Sequence, residues 1–177
     1  MSEVRVTDSN GAASPRFTYV ADWQALDPAE AEAISDFWRR EGALTEDAQI
    51  KARLPQVVMH VRDGDTVAAV STAVTMTPPQ FGQPVYYFRM FVGKEWRTTS
   101  LIKRLALRAT KCLEEYASTH DYPAIGVMLE LEGARFKDKW RMPVWNYVQF
   151  IYVGRSPRGL ETRVYYFNGA MLKKVRN

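Results

Sequence analysis

The sequence predicts a mixed α/β (α+β) domain, a mainly antiparallel sheet flanked by helices and closed by a C-terminal β-hairpin. Two observations lead there. Strand-like and helix-like segments follow one another as strand, helix, helix, hairpin, strand, helix, strand, short helix, hairpin. Within that order a single long helix separates two strands, so one crossover suffices and the remaining connections suit antiparallel neighbours.

Residues 1–14 are small and polar and predict a disordered tail, leaving 15–177 as one domain. Phe17-Thr-Tyr-Val20 alternates as a first strand. Asp27-Pro28-Ala29-Glu30 is a helix start, with Asp as cap, Pro at the first helical position and Glu at the third. Ala31, Ile34, Phe37 and Trp38 share one face of that helix, and Gly42 ends it. Thr45-Glu46-Asp47 opens a second, shorter helix that stops before Pro55. Gln56–Arg62 and Val67–Thr75 form a hairpin across Asp63-Gly64-Asp65-Thr66. After a loop through Pro78 and Pro84, Val85–Val92 is a buried strand. The link Gly93–Ser100 then feeds a helix whose stripe is Leu101, Leu105, Ala109, Cys112 (or Leu113) and Tyr116. Ala124–Glu132 is the next strand, with Ile125, Val127, Leu129 and Leu131 on one face. Gly133–Trp140 predicts a short helix ended by Pro143, and Tyr147–Val153 pairs with Thr162–Phe167 across Arg155–Gly159.

At 177 residues, 46% hydrophobic and 25% charged, the chain has an ordinary globular composition. One cysteine excludes an internal disulfide, and with only two histidines a structural zinc site is not expected. No apolar run approaches a membrane span and Met1–Arg5 lacks a signal-peptide core, so a cytoplasmic protein without a membrane partner is expected. Charge is uneven. From Ala134 onward ten Lys or Arg meet two acids, a net of +8, leaving −4 for residues 1–133. That balance suggests a polyanion at the basic C-terminal third, or else a solvated face.

Val92-x-x-Glu95-Trp96-Arg97 at the end of a strand, followed by a polar link into a helix, resembles the signature of the GNAT superfamily of N-acyltransferases. The likeness runs from about Phe17 to Ala170 and implies an acyl-CoA-dependent transfer to an amine acceptor. The family's loop pattern is Arg or Gln, two residues, Gly, one residue, then Gly or Ala. It maps onto Arg97-Thr98-Thr99-Ser100-Leu101-Ile102, with Ile102 standing where a small residue is usual. The resemblance implies that the backbone of Phe91 and Val92 pairs with the pantetheine arm of acetyl-CoA or another acyl-CoA. The N–H groups around Thr98, Thr99, Ser100 and Leu101, beside Ile102 and aided by Arg97 and Lys103, would hold the pyrophosphate.

Arg89 interrupts an apolar strand and must be paired or face a cleft. Glu130 and Glu132 on the next strand are candidate partners for it, or general bases for an amine. The tyrosine that family members often use to protonate the departing thiolate has no equivalent in 134–140, so Tyr147 or Tyr152 on the following strand would have to substitute. His60, His120 and Cys112 have no sequence partners that suggest a metal or nucleophile. The alternative is a non-catalytic protein of the same fold that binds a small ligand, a protein or a nucleic acid. A homodimer is compatible with either reading.

Overall fold

The computed structural model describes residues 17–132 and 141–174. The tail expected over 1–14 and the short helix expected over 133–140 lie outside the described residues. Among these, eight strands form one sheet in the order β1-β2-β3-β4-β5-β8-β7-β6. They are β1 (Phe17–Ala21), β2 (Val57–Asp63), β3 (Thr66–Met76), β4 (Val85–Val92), β5 (Gly126–Glu130), β6 (Val144–Trp145), β7 (Phe150–Arg155) and β8 (Glu161–Tyr166). Every pairing is antiparallel except β4 with β5. The helices are α1 (Pro28–Glu41), α2 (Asp47–Arg53) and α3 (Thr99–Thr119).

Helix ends follow the local chemistry. Asp27 accepts from the Ala29 amide at 2.8 Å, and Pro28 opens α1. Gly42 closes it at φ 69°, with its N–H donating to Arg39 and the Ala43 N–H to Trp38. One face of the sheet packs on α3 through Val61, Tyr86, Phe88, Leu101, Leu105, Ala109 and Leu113. The other face meets α1 and α2 through Ile34, Phe37, Trp38, Ile50 and Val70. Leu113, fully buried, takes the core position on α3, and Cys112 sits half-buried beside it.

Several expected boundaries move. β5 is shorter than Ala124–Glu132, so Glu132 lies beyond the strand. Ile125 precedes the strand and joins Val85, Tyr87, Met128 and Val164, not the Val127 and Leu129 side. Gly126 follows because a Cβ there would stand 2.3 Å from the Tyr165 carbonyl oxygen. β7 starts at Phe150, and Tyr147 belongs to the turn after β6, a two-residue strand that no sequence pattern announced.

Candidate active site

The site begins where β4 and β5 part. Their parallel ladder holds only Tyr86 with Val127 and Tyr87 with Met128. Beyond these pairs β4 runs on to Val92, while β5 stops at Glu130. β4 stays in register with β3 to its end, and the Gly93 N–H donates to the Ala68 carbonyl at 2.9 Å. In an antiparallel ladder hydrogen-bonding residues alternate, so the backbones of Tyr87, Arg89 and Phe91 turn toward β3. Those of Phe88, Met90 and Val92 face the gap. Of the two residues expected at the edge, Val92 faces the gap and Phe91 turns its backbone to β3, with Met90 the other residue directed to the gap.

A short 3₁₀ turn, Lys94–Trp96, carries the chain from β4 to α3. Arg97 folds back, its Nε donating to the Val92 carbonyl at 3.1 Å, with the guanidinium 5.8 Å from the Phe91 ring. Thr98 caps α3, its Oγ1 accepting from the Leu101 N–H at 3.3 Å, and its own N–H donates to the Trp96 carbonyl. The Ile102 N–H donates to the Thr98 carbonyl. The amides of Thr99 and Ser100 are thus the ones still open to an anion at this helix start. Leu101 is buried, and Ile102 packs half-buried against the main core. Lys103 extends its ammonium to 5.7 Å from the ring of Tyr147, which is 55% exposed.

On the opposite face of the sheet Glu130 is nearly buried, its side chain 9% exposed. Its Oε2 accepts from the Tyr87 hydroxyl at 3.0 Å and from Arg158 Nη1 at 3.0 Å. Arg158 also donates to Glu132 at 2.9 Å. An Arg89–Glu130 or Arg89–Glu132 pair does not form. Arg89 is exposed and lies over the Tyr87 ring at 4.4 Å, because Arg158 from the β7–β8 turn reaches both carboxylates first. Burial, then the hydrogen bond to Glu130 and its charge, raises the Tyr87 pKa against the opposing charge of Arg89. The phenol stays protonated and donates. Glu130 lies with Tyr87 on the face away from α3, whereas Tyr147 stands beside Lys103 of α3.

Sequence reasoning missed Tyr87 and Arg158. Tyr87 lies two residues before Arg89 and so shares its strand face, a signal that was present. Arg158 came only with the fold. His60 is buried, its Nδ1 2.7 Å from Asp22 Oδ2, with Glu30 and Arg62 beyond it, a structural network between β1, β2 and α1. His120 stacks on Tyr116 at 3.9 Å. Burial, with the charges of Glu115 and Asp22, raises the Cys112 thiol's pKa, which suits packing and not nucleophilic attack. Among the described residues no cluster of His, Cys, Asp and Glu could hold a metal. No described helix is long and apolar enough to cross a membrane. The basic C-terminal third is partly used internally, since Arg158 serves the two glutamates and buried Arg163 lies 4.2 Å from the Trp145 ring, donating to the Met142 carbonyl.

No protein-family model matches the chain, and no curated protein matches it in sequence. Solved structures do match its fold. An acetyltransferase of the GNAT family from Streptococcus pneumoniae superposes with a TM-score of 0.60 at 9% identity, covering 86% of this chain and 100% of that one. yncA, a putative acetyltransferase from Salmonella typhimurium solved with its cofactor acetyl-CoA, gives 0.58 at 12%, covering 90% and 99%. The ribosomal-protein-S5-alanine acetyltransferase from Vibrio fischeri gives 0.56 at 10%, covering 86% and 94%. The chain has the GNAT fold.

Proposed function

We propose that this chain, built on the GNAT fold, is an acyl-CoA-dependent N-acyltransferase. The observation that carries the reading is the parting of β4 from β5, which turns the Met90 backbone and the Val92 N–H toward the gap beside a polar helix start, while Arg97 takes the Val92 carbonyl. A bound acyl-CoA supplies an activated thioester carbonyl; the amine lone pair forms the new C–N bond as the C–S bond breaks and the thiol departs. The Met90 backbone and the Val92 N–H would pair with the pantetheine amides as an added strand would. The open amides of Thr99 and Ser100, with Arg97 and Lys103, would face the pyrophosphate. Glu130 would draw in the acceptor's ammonium and take its proton, with Tyr87 and Arg158 fixing the carboxylate. Tyr147, exposed beside Lys103, is the phenol on the α3 face for protonating the leaving thiolate.

Acetyl-CoA should raise the melting temperature, and Arg97→Ala should weaken that binding. No shift at millimolar acetyl-CoA in a folded sample would replace this reading with a non-catalytic ligand-binding protein. One observation favours that second reading: Thr98 already caps the Leu101 amide, so α3 offers a phosphate fewer donors than an uncapped start.

A further inference from the structure

The face of the gap away from α3 carries charge that acyl transfer itself does not need. Arg89 stands exposed on β4, stacked over Tyr87, and no carboxylate among the described residues pairs with it. Val57, Thr72 and Arg89 form one row across β2, β3 and β4. Arg53 ends α2 just before Val57, so the helix end comes down beside that row. Arg53 is half-buried and also has no carboxylate partner among the described residues. Burial lowers its pKa, and the charge of Arg89 lowers it further, while Tyr87 acts the other way. The row brings the end of α2 to the Arg89 side of the sheet, near enough for the Arg89 charge to act on the half-buried Arg53, and neither has a carboxylate partner among the described residues, an arrangement unfavourable for the fold alone. At the far edge of the same tyrosine ring, the hydroxyl donates to Glu130. Around Tyr87 this face therefore carries Arg89 over the ring and, at the hydroxyl, the Glu130 carboxylate that Arg158 also holds.

We propose that the acceptor is an amine that also bears a carboxylate, an amino-acid-like molecule whose carboxylate is held by Arg53 and Arg89 while Glu130 meets its ammonium. This rests on the transferase reading of the same site. The planar fork of a guanidinium matches a carboxylate, and two forks give it an orientation as well as attraction. The same pair repels polyamines and other acceptors that are cationic throughout, so the face selects by exclusion as well as by contact.

The test needs no acyl-CoA. The ¹⁵N-labelled chain is titrated with phenylalanine, leucine and lysine, each beside its decarboxylated amine (phenethylamine, isoamylamine, cadaverine). At least one amino acid should bind about tenfold or more tighter than its amine, with shifts at Tyr87, Arg89 and Glu130. Arg89→Gln and Arg53→Gln should each erode that preference. Amines binding as well as amino acids, a preference that survives in both variants, or no binding by any of the six would overturn the inference. Acetyl-CoA stabilisation measured on the same sample separates the two readings. If it is absent while the carboxylate preference holds, the transferase reading fails and the anion site stands. If it is present without the preference, only this inference falls.

Discussion

At the scale of single residues, the site turns on which carboxylate is free to act. Glu132 is 64% exposed and shares its charge with Arg158, whereas Glu130 is nearly buried and held from two sides. Glu130→Gln should therefore lower acyl transfer by about 10²-fold or more, with acetyl-CoA affinity nearly unchanged, in a thiol-release assay run beside a binding measurement. Equal losses in binding and turnover would place Glu130 in cofactor binding. Ile102 gives a second prediction. It packs against the main core, so Ile102→Gly removes buried surface as well as helix propensity. Chemical denaturation should show a loss of about 2 kcal/mol, more than the ~1 kcal/mol that glycine costs by propensity alone, with no gain in acetyl-CoA affinity. Tighter binding would mean that the side chain crowds the phosphate. The charge on Arg89 was visible in the sequence as an anomaly, but its lack of a carboxylate partner was not. That depended on Arg158, a turn residue whose reach only the folded hairpin defines.

Among the elements, α3 was the most legible, because its apolar stripe from Leu101 to Tyr116 repeats over about four turns and its cap is local. The Tyr147 boundary was not legible. Asn146–Gln149 turn the chain with Gln149 at φ 56°, and nothing in an aromatic-rich run signals a positive φ. What fixes α3 to the sheet was equally hidden. Glu114 accepts from Lys111 and from the Tyr165 hydroxyl at 2.9 Å, and from the Asn168 N–H at 2.8 Å, with its side chain 12% exposed. Burial alone would raise its pKa, but these three hydrogen bonds outweigh it and hold the value below the usual range. A depressed carboxylate pKa means stability present above the unfolded value and lost as pH falls through the folded one. Glu114→Gln should cost about 1–2 kcal/mol at pH 7. The difference from the parent should shrink below about pH 4.5 and vanish in more acidic buffer. Urea unfolding at pH 7, 5 and 3 checks it. A constant difference would assign the loss to packing.

For the molecule as a whole, the order of elements was enough to place the crossover, yet not to show how little joins the two halves of the sheet. β1 to β4 form a set of antiparallel neighbours, as do β5 to β8, and among the described residues the parallel ladder between the sets has two residue pairs, extended by the Ile125 N–H donating to the Pro84 carbonyl at 2.9 Å. Across that seam the backbone ladder is short, and the two halves are held by α3 and by side chains they share, Val85 and Tyr87 packing with Met128 and Val164. Partial opening there should cost less than global unfolding, because few rungs are lost while each half keeps its own hairpins. Amide hydrogen exchange should then be faster in Val127–Leu129 than in β2 and β3 under native conditions. Uniform protection across the sheet would mean that the halves open only together. A ligand whose amides bridge Met90 and Val92 would thicken the seam. Its binding should slow exchange on both sides of the sheet, far from any atom it touches.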